Sequence, residues 1–210
     1  MVKICGLTRP RDIASAIRYG ADFCGFIVEA QSPRRLSLRE AAKLSLPVKP
    51  IAKTVAVTVS PSVDLALNIA QTMRPDYLQI HGALSRAQAS AIKIQTGLPL
   101  IRALSIKTRE DLGAIAPWED MADYILLDAA APKGSAQAGG HGMAFDWSLL
   151  KNIRSTTPLI LAGGLRPDNA KAARATGFTF FDVSSGLEQN PGVKDPDKIA
   201  AFMKSIRPER

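Results

Sequence analysis

Val2-Lys3-Ile4-Cys5, followed at once by Gly6-Leu7-Thr8, is the stretch on which the architecture turns. The first four residues form a short apolar run of strand type, and Arg11–Tyr19 after them has helical periodicity. A doubly wound open sheet would carry Gly-x-Gly-x-x-Gly at this first strand-to-helix turn. A lone Gly6 stands there instead, so the other fold made of repeated strand-helix units, the (β/α)8 barrel, is expected.

The rest of the chain repeats the unit. Strands are expected at Phe23–Val28, Thr54–Thr58, Tyr77–Ile80, Leu100–Leu104, Tyr124–Leu127, Leu159–Ala162 and Phe180–Val183. Their near-continuous apolar character suits strands covered on both faces. Helices are expected between and after them, at Leu38–Leu46, Val63–Thr72, Arg86–Thr96, Arg109–Ile115, Trp147–Ile153, Asp168–Ala175 and Lys198–Ile206. Ser62 and Ser85 read as N-caps, and Thr108 with Asp111 as a capping box. Gly20, Gly97 and Gly177 stand just past helix ends, where a left-handed residue is wanted. Eight units in 210 residues make one barrel domain spanning residues 1–210, close to the lower size bound of about 200 for this fold. The Ala- and Gly-rich connection Ala129–Ala144 is the one long loop, and it reads as a mobile lid on the C-terminal face.

Composition narrows the function classes. Hydrophobic content of 46% and charged content of 22% are ordinary globular values, and no apolar run is long enough for a membrane helix. The N-terminus lacks the apolar stretch of a signal peptide, so a cytoplasmic protein is expected. Cys5 and Cys24, with no CxxC spacing, read as two free thiols. With His81 and His141 they offer no metal-ligand spacing, and no metal is expected. The net charge of +8 is spread from Lys3 to Arg210 without a dense run. It favours attraction of small anions over a nucleic-acid surface.

Active sites of this fold occupy the C-terminal ends of the strands. Cys5 stands there, as do Arg34 and Arg35 beyond the second strand, His81, Asp128, Gly163-Gly164, and Ser184-Ser185-Gly186. The two glycine-bearing loops follow strands seven and eight, where barrels build phosphate sites from backbone amides. A phosphate site is preferred there over two plain tight turns. Cys5 has two readings, a buried small hydrophobe or a thiol serving as base or nucleophile. Mid-strand Cys24 reads as core. Asp128 closes an apolar run, where packing rarely wants a carboxylate, so a site role is preferred to a loop cap. Arg34 and Arg35 are either solvated cations or a fork for a ligand carboxylate. His81 is either a structural histidine or a proton donor.

A resemblance adds roles to these positions. Lys3-Ile4-Cys5-Gly6-Leu7-Thr8, Gly20-Ala21-Asp22 with Gly25-Phe26, Ser32-Pro33-Arg34 and Leu78-Gln79-Ile80-His81-Gly82 come in that order. They are followed by Leu126-Leu127-Asp128, Gly139-Gly140-His141-Gly142, Phe145-Asp146-Trp147 and Leu161-Ala162-Gly163-Gly164-Leu165. Asp182-Val183-Ser184-Ser185-Gly186-Leu187-Glu188 and Pro191-Gly192-Val193-Lys194-Asp195 complete the set. Together they resemble the phosphoribosylanthranilate isomerase family of tryptophan biosynthesis across nearly the whole chain. His141, where Ser or Thr is usual, and Met143, where Lys is common, depart from the pattern.

The resemblance implies Cys5 as general base, Asp128 as general acid, and Arg34 as the grip on the anthranilate carboxylate. It implies phosphate held at Gly163, Gly164, Ser184, Ser185 and Gly186, with His81 beside the substrate. No cofactor is implied, and the partner is a small anionic phosphosugar bound by a monomer or homodimer. Asp128 is expected above, and Cys5 modestly below, its ordinary pKa. The rivals are another phosphosugar barrel (an epimerase, or one like indole-glycerol-phosphate synthase) and a non-catalytic binder of phosphate ligands.

Overall fold

The computed structural model describes residues 1–129 and 147–207. Eight parallel strands close into a barrel: β1 Val2–Ile4, β2 Phe23–Val28, β3 Lys53–Val59, β4 Tyr77–His81, β5 Leu100–Ile106, β6 Tyr124–Ala129, β7 Leu159–Leu161 and β8 Phe181–Val183. Each pairs with the next, and β1 closes the ring by pairing on both sides, Lys3 opposite Phe23 in β2 and opposite Asp182 in β8.

Inward residues alternate along every strand. Counting by two stacks them in layers of four, each drawn from alternate strands. Phe23, Tyr77, Tyr124 and Phe180 lie nearest the N-terminal end, their ring centroids 4.8 to 6.3 Å apart across the touching pairs. Lys3, Val55, Ile101 and Ile160 come next, then Gly25, Gln79, Leu126 and Asp182, then Cys5, Val57, Ala103 and Ala162. Ile27, His81, Asp128 and Ser184 form the layer at the C-terminal mouth. Every apolar member of these layers belongs to one hydrophobic cluster, separate from the larger cluster that joins barrel to helices.

Among the described residues six α-helices pack outside: α1 Pro10–Arg18, α2 Leu38–Ser45, α3 Val63–Thr72, α4 Arg86–Thr96, α5 Ala170–Ala175 and α6 Pro196–Ile206. Ser62 and Ser85 cap α3 and α4 as expected, each accepting from the backbone N–H three residues on. Gly20, Gly97 and Gly177 take φ of +83°, +68° and +87°.

Two expected helices fall short. Arg109–Ile115 is a 3-10 segment, Glu110–Ala114, continued by Ala116–Trp118, because Pro117 removes a donor that an α-helix needs. Its Asp111 accepts from the N–H groups of Lys107 and Thr108, both at 2.8 Å, which is the reverse half of the expected box. Trp147–Ile153 is a single 3-10 turn, Trp147–Leu150, ended by Asn152 at φ +63°. The sequence also hid two small β features: Arg35–Leu36 lies parallel beside the end of β2, and Glu188–Asn190 forms a hairpin with Val193–Lys194. The expected lid at Ala129–Ala144, with His141 and Met143, falls outside the described residues apart from Ala129 at the end of β6.

Candidate active site

Buried ion pairs below the C-terminal mouth link β1 to β8, and the segment after β2 to the hairpin. Lys3, 0% exposed, places Nζ 3.0 Å from Asp182 Oδ1. Lys194 Nζ donates to Glu188 Oε1 at 2.8 Å and to the Ser184 carbonyl at 3.0 Å. Arg34 bonds the same Glu188 through Nε and Nη2, both at 2.7 Å. The Ser184 hydroxyl donates to the Cys5 carbonyl at 3.0 Å. Gly6 makes room for Arg34: a Cβ there would sit 2.5 Å from Arg34 Cδ, and its φ is +72°.

Cys5 is buried, and so is Cys24, both as free thiols. Burial pushes the Cys5 thiol up, against the pull of the Lys3 ammonium. The modest lowering expected from the sequence is therefore not what the closed barrel provides. Burial alone would lower Lys3, but Asp182 and Cys5 outweigh it and hold that ammonium above its ordinary range. Cys24, facing the helices, is pushed up to about 12 by burial and takes the core role assigned to it.

Arg34 and Arg35 separate cleanly. Arg35 is exposed and paired with Glu29 at 2.9 Å, so the solvated reading holds for it. Arg34 is buried, and the fork expected for a ligand carboxylate is already closed on Glu188. Nη1 is the guanidinium nitrogen left without a hydrogen-bond partner among the described residues. The Ser184 hydroxyl serves as a latch between β8 and β1.

The loops after β7 and β8 fit against one another. Gly163 and Gly164 take φ of +81° and +67°, and Asn169 Nδ2 donates to the Gly164 carbonyl at 2.9 Å. A Cβ on Gly186 would overlap the Leu165 carbonyl oxygen. The N–H groups of Gly163, Gly164, Ser185 and Gly186 have no acceptor among the described residues.

His81 ends β4 with its Nε2 2.7 Å from Gln79 Nε2, one layer further in. Its enclosure, then the positive charges of Lys3 and Arg102, push the imidazole down to about 3. At neutral pH it is held neutral, with one ring N–H to donate. Asp128 ends the inward series of β6, opposite Ser105 of β5, and is partly exposed. Lys3, Gly25, Asp182, Glu188 and Lys194 received no role from the residues alone. The available signal was a charge at alternate positions of otherwise apolar strands, as with Lys3 between Val2 and Ile4.

Among the described residues no group of His, Cys, Asp or Glu is placed to hold a metal, and no helix is long and apolar enough to cross a membrane.

A parallel eight-stranded barrel whose mouth gathers a thiol, a carboxylate, a held arginine and glycine loops whose amides have no acceptor among the described residues defines a (β/α)8-barrel enzyme. The family model described as N-(5′-phosphoribosyl)anthranilate (PRA) isomerase matches residues 2–205, and the chain belongs to that family of tryptophan-biosynthetic isomerases. The N-(5′-phosphoribosyl)anthranilate isomerase of Rhodopseudomonas palustris strain BisA53 is 44% identical over 207 residues, covering 98% of this chain and 95% of that protein. The crystal structure of the Thermotoga maritima phosphoribosyl anthranilate isomerase superposes with TM-score 0.86 at 31% identity, covering 98% of this chain and 97% of that one. Another phosphoribosyl anthranilate isomerase, solved in complex with reduced 1-(o-carboxyphenylamino)-1-deoxyribulose 5-phosphate, gives 0.84 at 30%, with coverage of 98% and 97%.

Proposed function

We propose that residues 1–210 act as one catalytic domain that rearranges N-(5′-phosphoribosyl)anthranilate to 1-(2-carboxyphenylamino)-1-deoxyribulose 5-phosphate, with Cys5 and Asp128 as base and acid. The observation that carries the assignment of roles is the placement of these two groups on inward positions of the last two layers below the mouth. The reduced product analogue bound by a solved relative has the same chemistry, a benzoate at one end and a phosphate at the other.

Asp128, protonated, gives its proton to the ribose ring oxygen. The C1′–O bond breaks, and the anilino nitrogen lone pair forms a C1′–N double bond. Cys5, as thiolate, takes the proton from C2′; those electrons form a C1′–C2′ double bond, and the C–N π pair returns to nitrogen. The enolamine then tautomerises, losing the hydroxyl proton at C2′ and gaining one at C1′. A proton returned from Cys5 to Asp128 resets the pair. No electrons enter or leave, so a residue-only site suffices.

The amides of Gly163, Gly164, Ser185 and Gly186, without an acceptor among the described residues, suit the phosphate, since glycine lets the backbone approach an anion closely. Arg34, locked by Glu188, would give the anthranilate carboxylate its remaining nitrogen. His81, neutral, would offer the substrate a hydrogen bond and no charge. The scattered excess of basic residues then serves small anions rather than nucleic acid. A cytoplasmic monomer or homodimer completes the proposal; a Thermotoga maritima relative is described as dimeric.

The test is to follow loss of fluorescence of freshly made phosphoribosylanthranilate with purified protein. Binding of a product analogue without turnover would favour the rival reading, a non-catalytic phosphate-ligand binder.

A further inference from the structure

Four observations converge on Lys3. It occupies the second interior layer, where its three companions Val55, Ile101 and Ile160 are apolar. Its side chain is 0% exposed, and its ammonium is 3.0 Å from Asp182. Gly25 is the residue of β2 whose inward position lies between Lys3 and Cys5 of β1, and it has no side chain to fill it. A Cβ built there would lie 2.9 Å from Cys5 Sγ and 3.1 Å from both Cε and Nζ of Lys3. The missing side chain is thus the space in which ammonium and thiol meet.

Stability does not explain the pair. A buried ion pair is often no better for the fold than apolar residues of the same volume, because desolvating both charges offsets their attraction. Three of the four positions in that layer are already apolar. A compensated lysine beside the thiol does have a chemical use.

We propose that Lys3 is a positioning residue of the isomerisation, whose buried ammonium, held by Asp182, stabilises Cys5 as the thiolate that takes the C2′ proton. The proposal rests on Cys5 being the base. Lys3, 0% exposed, acts through Cys5. The groups facing the thiol from the surrounding elements are Lys3 on β1, Asp182 on β8 and Lys194 on the hairpin, with Cys24 behind it on β2. Asp182 opposes ionisation of Cys5, while Lys3 and Lys194 favour it. Removing Lys3 leaves burial and Asp182 to act with Lys194 alone against them.

The experiment titrates Cys5 by ultraviolet thiolate absorbance in a Cys24→Ala background, comparing that protein with Lys3→Met and with Lys3→Met/Asp182→Asn. The double variant removes both charges, keeps the shapes, and avoids an unpaired carboxylate. Expected is an upward shift of the Cys5 midpoint by at least about one pH unit in Lys3→Met, a roughly tenfold smaller thiolate fraction at fixed pH, and a smaller upward shift in the double variant, where loss of Asp182 removes an opposing charge. The basic limb of kcat/KM should move with it. Gly25→Ala, which forces the two side chains apart with both charges retained, should shift the midpoint in the same direction. An unmoved midpoint in folded Lys3→Met and in Gly25→Ala overturns the role of Lys3 and leaves Cys5 as base untouched. A midpoint that moves while Cys5→Ala retains turnover overturns the base assignment, and with it the catalytic use of Lys3.

Discussion

Arg34 and Glu188 face each other as a closed fork, Nε to Oε1 and Nη2 to Oε2, each 2.7 Å, with both side chains 5% exposed. The two residues are 154 positions apart in sequence. Lys194 adds a third contact to the same carboxylate at 2.8 Å. Two cations on one buried anion leave an excess of positive charge below the mouth, in keeping with an anionic substrate.

Glu188→Gln retains the shape but leaves Arg34 and Lys194 without their anion. Breaking a buried pair in this way costs about 3–5 kcal/mol. The variant should melt well below the parent and, at a temperature where it is folded, bind substrate with raised KM. Arg34→Lys should also raise KM, since an ammonium cannot reproduce the two-point contact and still reach a ligand. Arg35→Lys should change neither quantity. Equal effects of the Arg34 and Arg35 changes on KM would remove Arg34 from the binding site.

Stability should fall in acid over two windows. Burial tends to raise Glu188, but Arg34 and Lys194 outweigh it and hold its carboxyl below the ordinary 4.5. A carboxyl depressed in the fold contributes stability above its unfolded pKa, and that stability is lost as pH falls through the folded value. His81, lowered from 6.5 to about 3, acts at higher pH. The unfolded chain takes up its proton between those values and the folded one does not, so stability falls from about pH 6.5 downward. His81→Asn should flatten the upper window in a melting series against pH, and Glu188→Gln the lower one. A slope near pH 5 to 6 that survives His81→Asn would show that the imidazole is not held neutral.

Gly186→Ala tests the phosphate loops through sterics. Its Cβ would overlap the Leu165 carbonyl and separate the loop after β8 from that after β7. Expected is a large rise in KM, with loss of protection by inorganic phosphate in thermal melts. Gly97→Ala is the control: φ is +68° but no atom lies within 4 Å of the new carbon. It should cost about 1 kcal/mol from backbone strain and leave turnover alone. Similar KM effects from the two changes would mean that loop contact is not what matters.

The barrel was legible because its evidence is local and repeated. The unbroken apolar runs Tyr124–Leu127 and Phe23–Val28 report doubly covered strands without any knowledge of the partner. Helix ends marked by Ser62, Ser85 and Gly97 were equally local. The 3-10 segments were missed because Pro117 and Asn152 override a helical hydrophobic pattern. The site divided along the same line. Cys5 and Asp128 stand out by position at strand ends, whereas Glu188 acquires meaning only once a hairpin brings it to Arg34. Lys3 reads as an ordinary N-terminal lysine until closure of β1 on β8 places Asp182 opposite it.

Asp128→Asn separates an acid from a structural carboxylate. The amide keeps the size and part of the hydrogen-bonding capacity, so a residue needed only to anchor the end of β6 would lose stability and keep turnover. A general acid that has become an amide has no carboxyl proton for the ring oxygen, and kcat should fall by roughly 10²–10⁴ with the melting transition close to that of the parent. Analogue binding should survive, because the glycine loops and the Arg34–Glu188 fork do not depend on that proton. Inactive protein that still binds the product analogue is the expected outcome. Full activity would exclude Asp128 as the donor and turn the search to His81, the inward group of β4 in the same layer, whose neutral imidazole keeps one N–H.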